Sequence, residues 1–100
     1  MDVAVVFRPH LIEVLEYLSN NYELVVFTAS EKVYADPIID HIDPQGEFFS
    51  TRLYRDSCQQ IDRFFIKDLR IIEDRELSQM FIVDNSILSF AFQLANGVPI

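Results

Sequence analysis

Residues 3–7 form an uninterrupted apolar run with valines at Val3, Val5 and Val6, and residues 22–27 form a second run ending in Val25, Val26 and Phe27. Between them Leu11, Val14, Leu15 and Leu18 recur at the i, i+3, i+4, i+7 spacing that lines one face of a helix. Pro9 suits the first turn of that helix, where a missing N–H costs nothing, and Ser19, Asn20 and Asn21 terminate it. Strand, helix, strand in so short a stretch is a βαβ unit, whose strands run parallel and are covered on both faces. The chain is therefore predicted to be an α/β protein built on a parallel sheet flanked by helices.

The remaining sequence extends this pattern. After Thr28, Ala29 and Ser30 a helical stretch is expected, interrupted and restarted at Pro37, with Asp36 as its cap and Ile38, Ile39 and Ile42 facing inward. Asp43, Pro44, Gln45 and Gly46 make a turn. Residues 48–54 and 64–66 read as strands of a small β insertion spanning about residues 48–66, with residues 59–63 as a polar connector. A polar or helical passage at residues 71–77 precedes the apolar run at residues 81–83, which stops at Asp84, Asn85 and Ser86. No repeat, low-complexity tract or Gly/Ser linker divides the chain, so its 100 residues read as one unit.

Composition excludes several function classes. Half of the residues are hydrophobic, enough for a core, and the net charge of −8 comes without any Lys/Arg cluster. A nucleic-acid backbone needs a basic footprint, so nucleic acid is not expected as a ligand, and neither is an anionic membrane surface. No apolar run approaches the roughly 20 residues of a membrane span, and no secretory leader is evident. Cys58 is the only cysteine and reads as a small, buried apolar residue. His10 and His41 lack partners at metal-ligand spacing and read as helix-surface residues.

Two predicted strands end in small polar residues: Thr28 follows Phe27, and Asp84 with Asn85 follows Val83. In open α/β sheets, ligands bind beyond the carboxyl ends of parallel strands, so both ends are expected to face one crevice. A hydroxyl, a carboxylate, an amide and nearby Lys67 are suited to a phosphoryl group and a divalent cation, because Mg²⁺ takes oxygen ligands and cations neutralise phosphate oxygens. Taken singly, each has a plainer reading: Thr28 as a cap, Lys67 as a surface charge, and Asp84 with Asn85 as turn chemistry.

Taken together, the segments are specific. Arg8-Pro9, the run from Val25 to Ser30, Tyr34-Ala35-Asp36-Pro37, Arg52-Leu53-Tyr54-Arg55, Lys67-Asp68-Leu69 and Val83-Asp84-Asn85-Ser86 stand in the order and approximate spacing of one family. They resemble the small phosphatases of the RNA polymerase II C-terminal domain, members of the haloacid dehalogenase superfamily. The resemblance implies a Rossmann-type parallel sheet and a Mg²⁺-dependent phosphatase acting on phosphoserine or phosphothreonine through an aspartyl-phosphate, with the polymerase tail as the family substrate. It implies that Thr28 and Ala29 bind phosphoryl oxygens and that Lys67 offsets their charge. It further implies that Asn85 is a direct Mg²⁺ ligand supported by Asp84, and that Arg55 and Tyr34 lie near the substrate entrance. A nuclear or cytoplasmic location goes with the family.

The same resemblance defines a departure. The family's first strand closes with Asp-x-Asp-x-Thr, which supplies the nucleophile, the general acid and two metal ligands, and no such sequence occurs here. The chain is accordingly expected to be a partial domain, truncated at both ends, with residues 1–100 carrying an incomplete sheet. Mg²⁺ binding by the chain itself is expected to be weak or absent. The family's central strand lies between those ending at Thr28 and Asp84, so exposed sheet edges and self-association are expected. Two functions stand side by side: a phosphatase domain, inactive in this form, and a catalytically silent binding module like the related mitochondrial import receptor.

Overall fold

The structure is a computed structural model and describes residues 4–100. Helix α1 (Leu11–Asn21) leads to strand β1 (Leu24–Phe27), then helix α2 (Lys32–Ile42) and strand β2 (Phe49–Leu53). The short strands β3 (Gln59–Ile61) and β4 (Phe64–Ile66) follow, and β5 (Ile82–Asp84) and β6 (Gly97–Pro99) close the chain. Single 3₁₀ turns at Arg55–Ser57, Leu69–Ile71, Leu77–Gln79, Ile87–Phe90 and Leu94–Asn96 join these elements.

The β1–α2–β2 segment is the βαβ unit of the molecule. β1 pairs with β2 in parallel, Val25 opposite Thr51 and Phe27 opposite Leu53, so α2 is the crossover. β5 pairs with β6, also in parallel, and β3 with β4 as an antiparallel hairpin. Among the described residues β1 and β5 therefore each have one strand neighbour, and their second edges carry none.

Several sequence expectations are corrected. Residues 4–7 form no strand and are exposed, while Val3 lies outside the described residues. An apolar run becomes a strand only where a neighbouring backbone accepts its hydrogen bonds, and no described strand lies against this one. Pro37 does not break α2, which runs unbroken from Lys32 to Ile42; Asp36 consequently sits in its second turn and caps nothing. Residues 59–63 are not a connector: Gln59–Ile61 is strand β3, turned back by Asp62 at φ 57°. Within the expected insertion, β2 joins the main parallel pair, and the β3–β4 hairpin alone stands apart.

Other expectations match. α1 places Leu11, Leu15 and Leu18 on its half-buried side while Val14, expected on the same face, is exposed, and the Asp43–Gly46 turn forms with Gly46 at φ 66°. Buried Asp43 ties the next strand down by accepting N–H bonds from Glu47, Phe48 and Phe49 at 2.7 to 3.1 Å. The apolar core lies beside β5, where Leu69, Ile82 and Phe90 pack together with Met80 against them. Phe90 covers Gly97 so closely that a side-chain carbon there would lie 2.1 Å from its ring. No helix among the described residues is long and apolar enough to cross a membrane.

Candidate active site

β1 ends at Phe27, and its ladder continues one bond further, the Thr28 N–H donating to the Leu53 carbonyl at 2.9 Å. The chain then turns sharply, with the Thr28 hydroxyl accepting the Ser30 N–H at 3.0 Å. Arg55, just past β2, reaches this turn: its Nε–H donates to the Ala29 carbonyl at 2.7 Å and its main-chain N–H to the Ser30 carbonyl at 3.0 Å. Cys58 lies beneath, its thiol 3.8 Å from the Thr28 carbonyl.

Lys67 follows β4 and Asp84 closes β5. Their side chains form an ion pair and are each only 10% exposed, so little solvent screens the contact. The second Asp84 oxygen accepts the Ser86 N–H at 2.9 Å, which fixes the turn carrying Asn85. Lys67 is anchored through its main chain, its N–H donating to the Ser89 carbonyl at 2.8 Å. Next to it, buried Asp68 accepts from Arg70 and, at 2.8 Å, from the Gln93 amide, while the Gln93 carbonyl oxygen accepts the Leu69 N–H. The Arg70 guanidinium is the main reason the Asp68 carboxyl lies well below the usual carboxylate range, burial opposing it and the Gln93 amide adding to it.

Cys58 is half-buried beside the Thr28 turn. Burial pushes its thiol up, and its ionisation also senses the charges of Lys67, Arg55, Asp56 and Asp84. The turn Thr28–Ser30 is thus in direct contact with Arg55, and Lys67 with Asp84, as two separate groups at two strand ends. Asn85 is exposed, adjacent to Asp84, with no side-chain hydrogen bond among the described residues. Tyr34 stands apart: it is 68% exposed on α2, and no side-chain bond joins it to either group.

Three participants were not evident in the sequence. Cys58, expected as a buried apolar residue, is half-buried with its thiol 3.8 Å from the Thr28 carbonyl. Asp36 was read as a cap, yet its carboxylate gathers Lys32, Arg52 at 3.0 Å and the Tyr54 hydroxyl, bracing α2 against β2 behind the Thr28 turn. The Lys32 ammonium and then Tyr54 lower its carboxyl to about 2. Gln93 carried no local signal; its role exists only because the chain folds back 25 residues to Asp68. His10 bonds Glu13 at the surface and His41 stacks on Phe7, away from both strand ends.

The donors present do not complete a Mg²⁺ site. Asp84 and Asn85 offer side-chain oxygens, but Asp84 is committed to Lys67 and to the Ser86 N–H. Among the described residues no three His, Cys, Asp or Glu side chains are grouped at metal-holding spacing, whereas Mg²⁺ requires about six oxygens.

Comparison with known proteins identifies the family. The model of the NLI interacting factor-like phosphatase family matches residues 1–100, and the chain belongs to that family. It is 45% identical over 93 residues to CTD small phosphatase-like protein 2 of Dictyostelium discoideum, covering 93% of this chain and 16% of that protein. It is 44% identical over 99 residues to the human CTD small phosphatase-like protein, covering 99% of this chain and 35% of that one. The chain thus spans 16 to 35% of the length of these relatives. Among solved structures, the fission yeast RNA polymerase II CTD phosphatase Fcp1 bound to beryllium fluoride superimposes with a TM-score of 0.81 at 27% identity. That match covers 95% of this chain and 25% of the other. The fold is the α/β fold of that phosphatase domain.

Proposed function

We propose that these residues form the phosphate-facing part of a Mg²⁺-dependent phosphatase domain for phosphoserine or phosphothreonine in proteins, with the RNA polymerase II tail as the substrate class. One observation carries the reading: in a chain of a phosphatase family, the buried Lys67–Asp84 pair and the Thr28 turn lie at the carboxyl ends of β5 and β1. Thr28 and Ala29 bind phosphoryl oxygens, Lys67 offsets their charge, and Asn85 contributes one amide oxygen to the metal with Asp84 behind it. Tyr34 and Arg55 flank the path of the peptide. A nuclear or cytoplasmic location fits the relatives, which include a nuclear envelope morphology protein of fission yeast.

The 100 residues contain no Asp-x-Asp-x-Thr and so no carboxylate pair for covalent phosphoryl transfer. The chain alone is expected to show no Mg²⁺-dependent turnover of p-nitrophenyl phosphate. Fusing an Asp-x-Asp-x-Thr strand of the family's pattern ahead of Met1 is expected to produce turnover that Lys67→Ala removes. A folded fusion without turnover overturns the enzymatic reading. The alternative, a silent binding module, predicts that such a fusion binds a phosphoserine peptide of the polymerase tail without cleaving it.

A further inference from the structure

The chain has two lysines, and only one is withdrawn from solvent: the Lys67 side chain is 10% exposed, that of Lys32 70%. A lysine stem is flexible, so where its ammonium arrives depends on how firmly its main chain is held. β4 ends at Ile66, and among the described residues the β3–β4 hairpin pairs with no other strand. The attachment of Lys67 to the β5 side comes instead from the segment that follows β5. The Lys67 N–H donates to the Ser89 carbonyl at 2.8 Å and the Ser89 N–H to the Ser86 carbonyl at 3.0 Å. The Ser86 N–H donates to one Asp84 oxygen, and the other oxygen takes the Lys67 ammonium, which closes a ring of contacts.

Gln93 adds a second attachment to the same stretch. Its side-chain N–H donates to the Asp68 carboxylate at 2.8 Å, and its side-chain oxygen accepts the Leu69 N–H at 3.0 Å. Residues 67, 68 and 69 are thus each tied to the segment beyond β5. The tie needs a donor and an acceptor at one side-chain end, which an amide supplies and a carboxylate or ammonium does not. Asp68 does not require Gln93 for neutralisation, because the Arg70 guanidinium and main-chain N–H already bond it at 2.8 to 3.2 Å. Gln93 is itself only 7% exposed, so the geometry of its two bonds is fixed at the cost of burying an amide.

We propose that Gln93 is a positioning residue for Lys67: by gripping Asp68 and Leu69 it sets the main chain from which the ammonium reaches Asp84 and the phosphoryl group. The proposal rests on the phosphatase reading above for the task of Lys67 and adds what holds Lys67 to it.

The test is acetylation of the folded 100-residue chain by acetic anhydride, followed at each lysine by peptide mass spectrometry, with alkylation of Cys58 measured alongside. In the parent chain Lys67 is expected to react far more slowly than Lys32. Gln93→Met keeps the side-chain length and removes the amide. It is expected to quicken Lys67 about tenfold, the scale of one lost hydrogen bond to a charged group, and to leave Lys32 unchanged. Cys58 is expected not to quicken, whereas general loosening of the fold would quicken both sites. Gln93→Asn, one methylene shorter, is expected to act in the same direction and less. Asp68→Asn combined with Gln93→Glu exchanges donor and acceptor while keeping an acceptor for the Leu69 N–H, and is expected to return Lys67 toward its parent rate. Lys67 as reactive as Lys32 in the parent chain overturns the proposal. So do an unmoved Lys67 in folded Gln93→Met or Gln93→Asn, Lys67 and Cys58 quickening together, and a folded exchange variant without recovery. The labelling reads where the ammonium is held, whereas turnover by the fused domain reads its chemistry, so the two readings fail separately.

Discussion

The two banks of the candidate site, the Thr28 turn and the Lys67–Asp84 pair, are fixed by different physics. Behind Thr28, α2 is braced to β2 by charge: Asp36 gathers Lys32, Arg52 and Tyr54, and Arg52 also reaches Asp40 at 2.8 Å. Every member of that network touches water. Behind Lys67 and Asp84 lies the apolar cluster of Leu69, Ile82 and Phe90, with the buried Asp68–Gln93 bond beside it. Apolar packing is sensitive to volume and indifferent to salt, whereas a wet ion network is weak per contact, screened by salt and lost in acid. The two strand ends thus fail under different conditions.

The sharpest way to break this contrast is Phe90→Ala. Phe90 is 3% exposed and closes over Gly97, so its loss leaves a cavity that the backbone cannot fill. Denaturant unfolding is expected to show a loss of about 3–5 kcal/mol. A loss below about 1 kcal/mol means the core does not support this bank. Next comes Lys67→Ala, which strands the Asp84 carboxylate at 10% exposure. A destabilisation of about 3 kcal/mol is expected from the same measurement, because an unpaired buried charge costs more than its pair contributed. Unchanged stability means that water reaches Asp84 freely.

The smallest effect belongs to the charged bank. The Asp36 carboxyl is lowered to about 2 by Lys32 and Tyr54, below the ordinary carboxylate value near 4. A lowered folded value stabilises the fold above the unfolded value and loses that contribution as pH falls through the folded one. The stability difference between the parent chain and Asp36→Asn is therefore expected to be constant above about pH 4 and to close toward pH 2. Added salt is expected to narrow it at neutral pH. A difference independent of both pH and salt contradicts an ionic brace.

The sequence made some of these features legible and hid others for identifiable reasons. Apolar runs that stop at small polar residues located both strand ends, and with them Thr28, Asp84 and Lys67. Asp36 was misread because Asp-Pro signals a helix start locally, while α2 already begins at Lys32 and the partners of Asp36 include Arg52 and Tyr54, 16 and 18 residues away. Strand β3 was missed because Gln59 and Gln60 show no apolar alternation; the signal available was Asp62, a residue type that tolerates the left-handed φ of 57° at its hairpin turn. The strand expected at residues 3–7 is absent from its described part, residues 4–7, for the opposite reason. Its apolar composition is real, but a strand is a property of pairs of segments.

Cys58 closes the contrast in practical terms. It is the only cysteine in the chain, its thiol is raised by burial, and it touches the carbonyl of Thr28 within the field of Lys67 and Asp84. Thiolates, not thiols, react with alkylating reagents, so the folded chain reports on this crevice by how slowly it is labelled. Loosening the Thr28 bank quickens a reaction at one atom, and the molecule carries a chemical clock beside that turn.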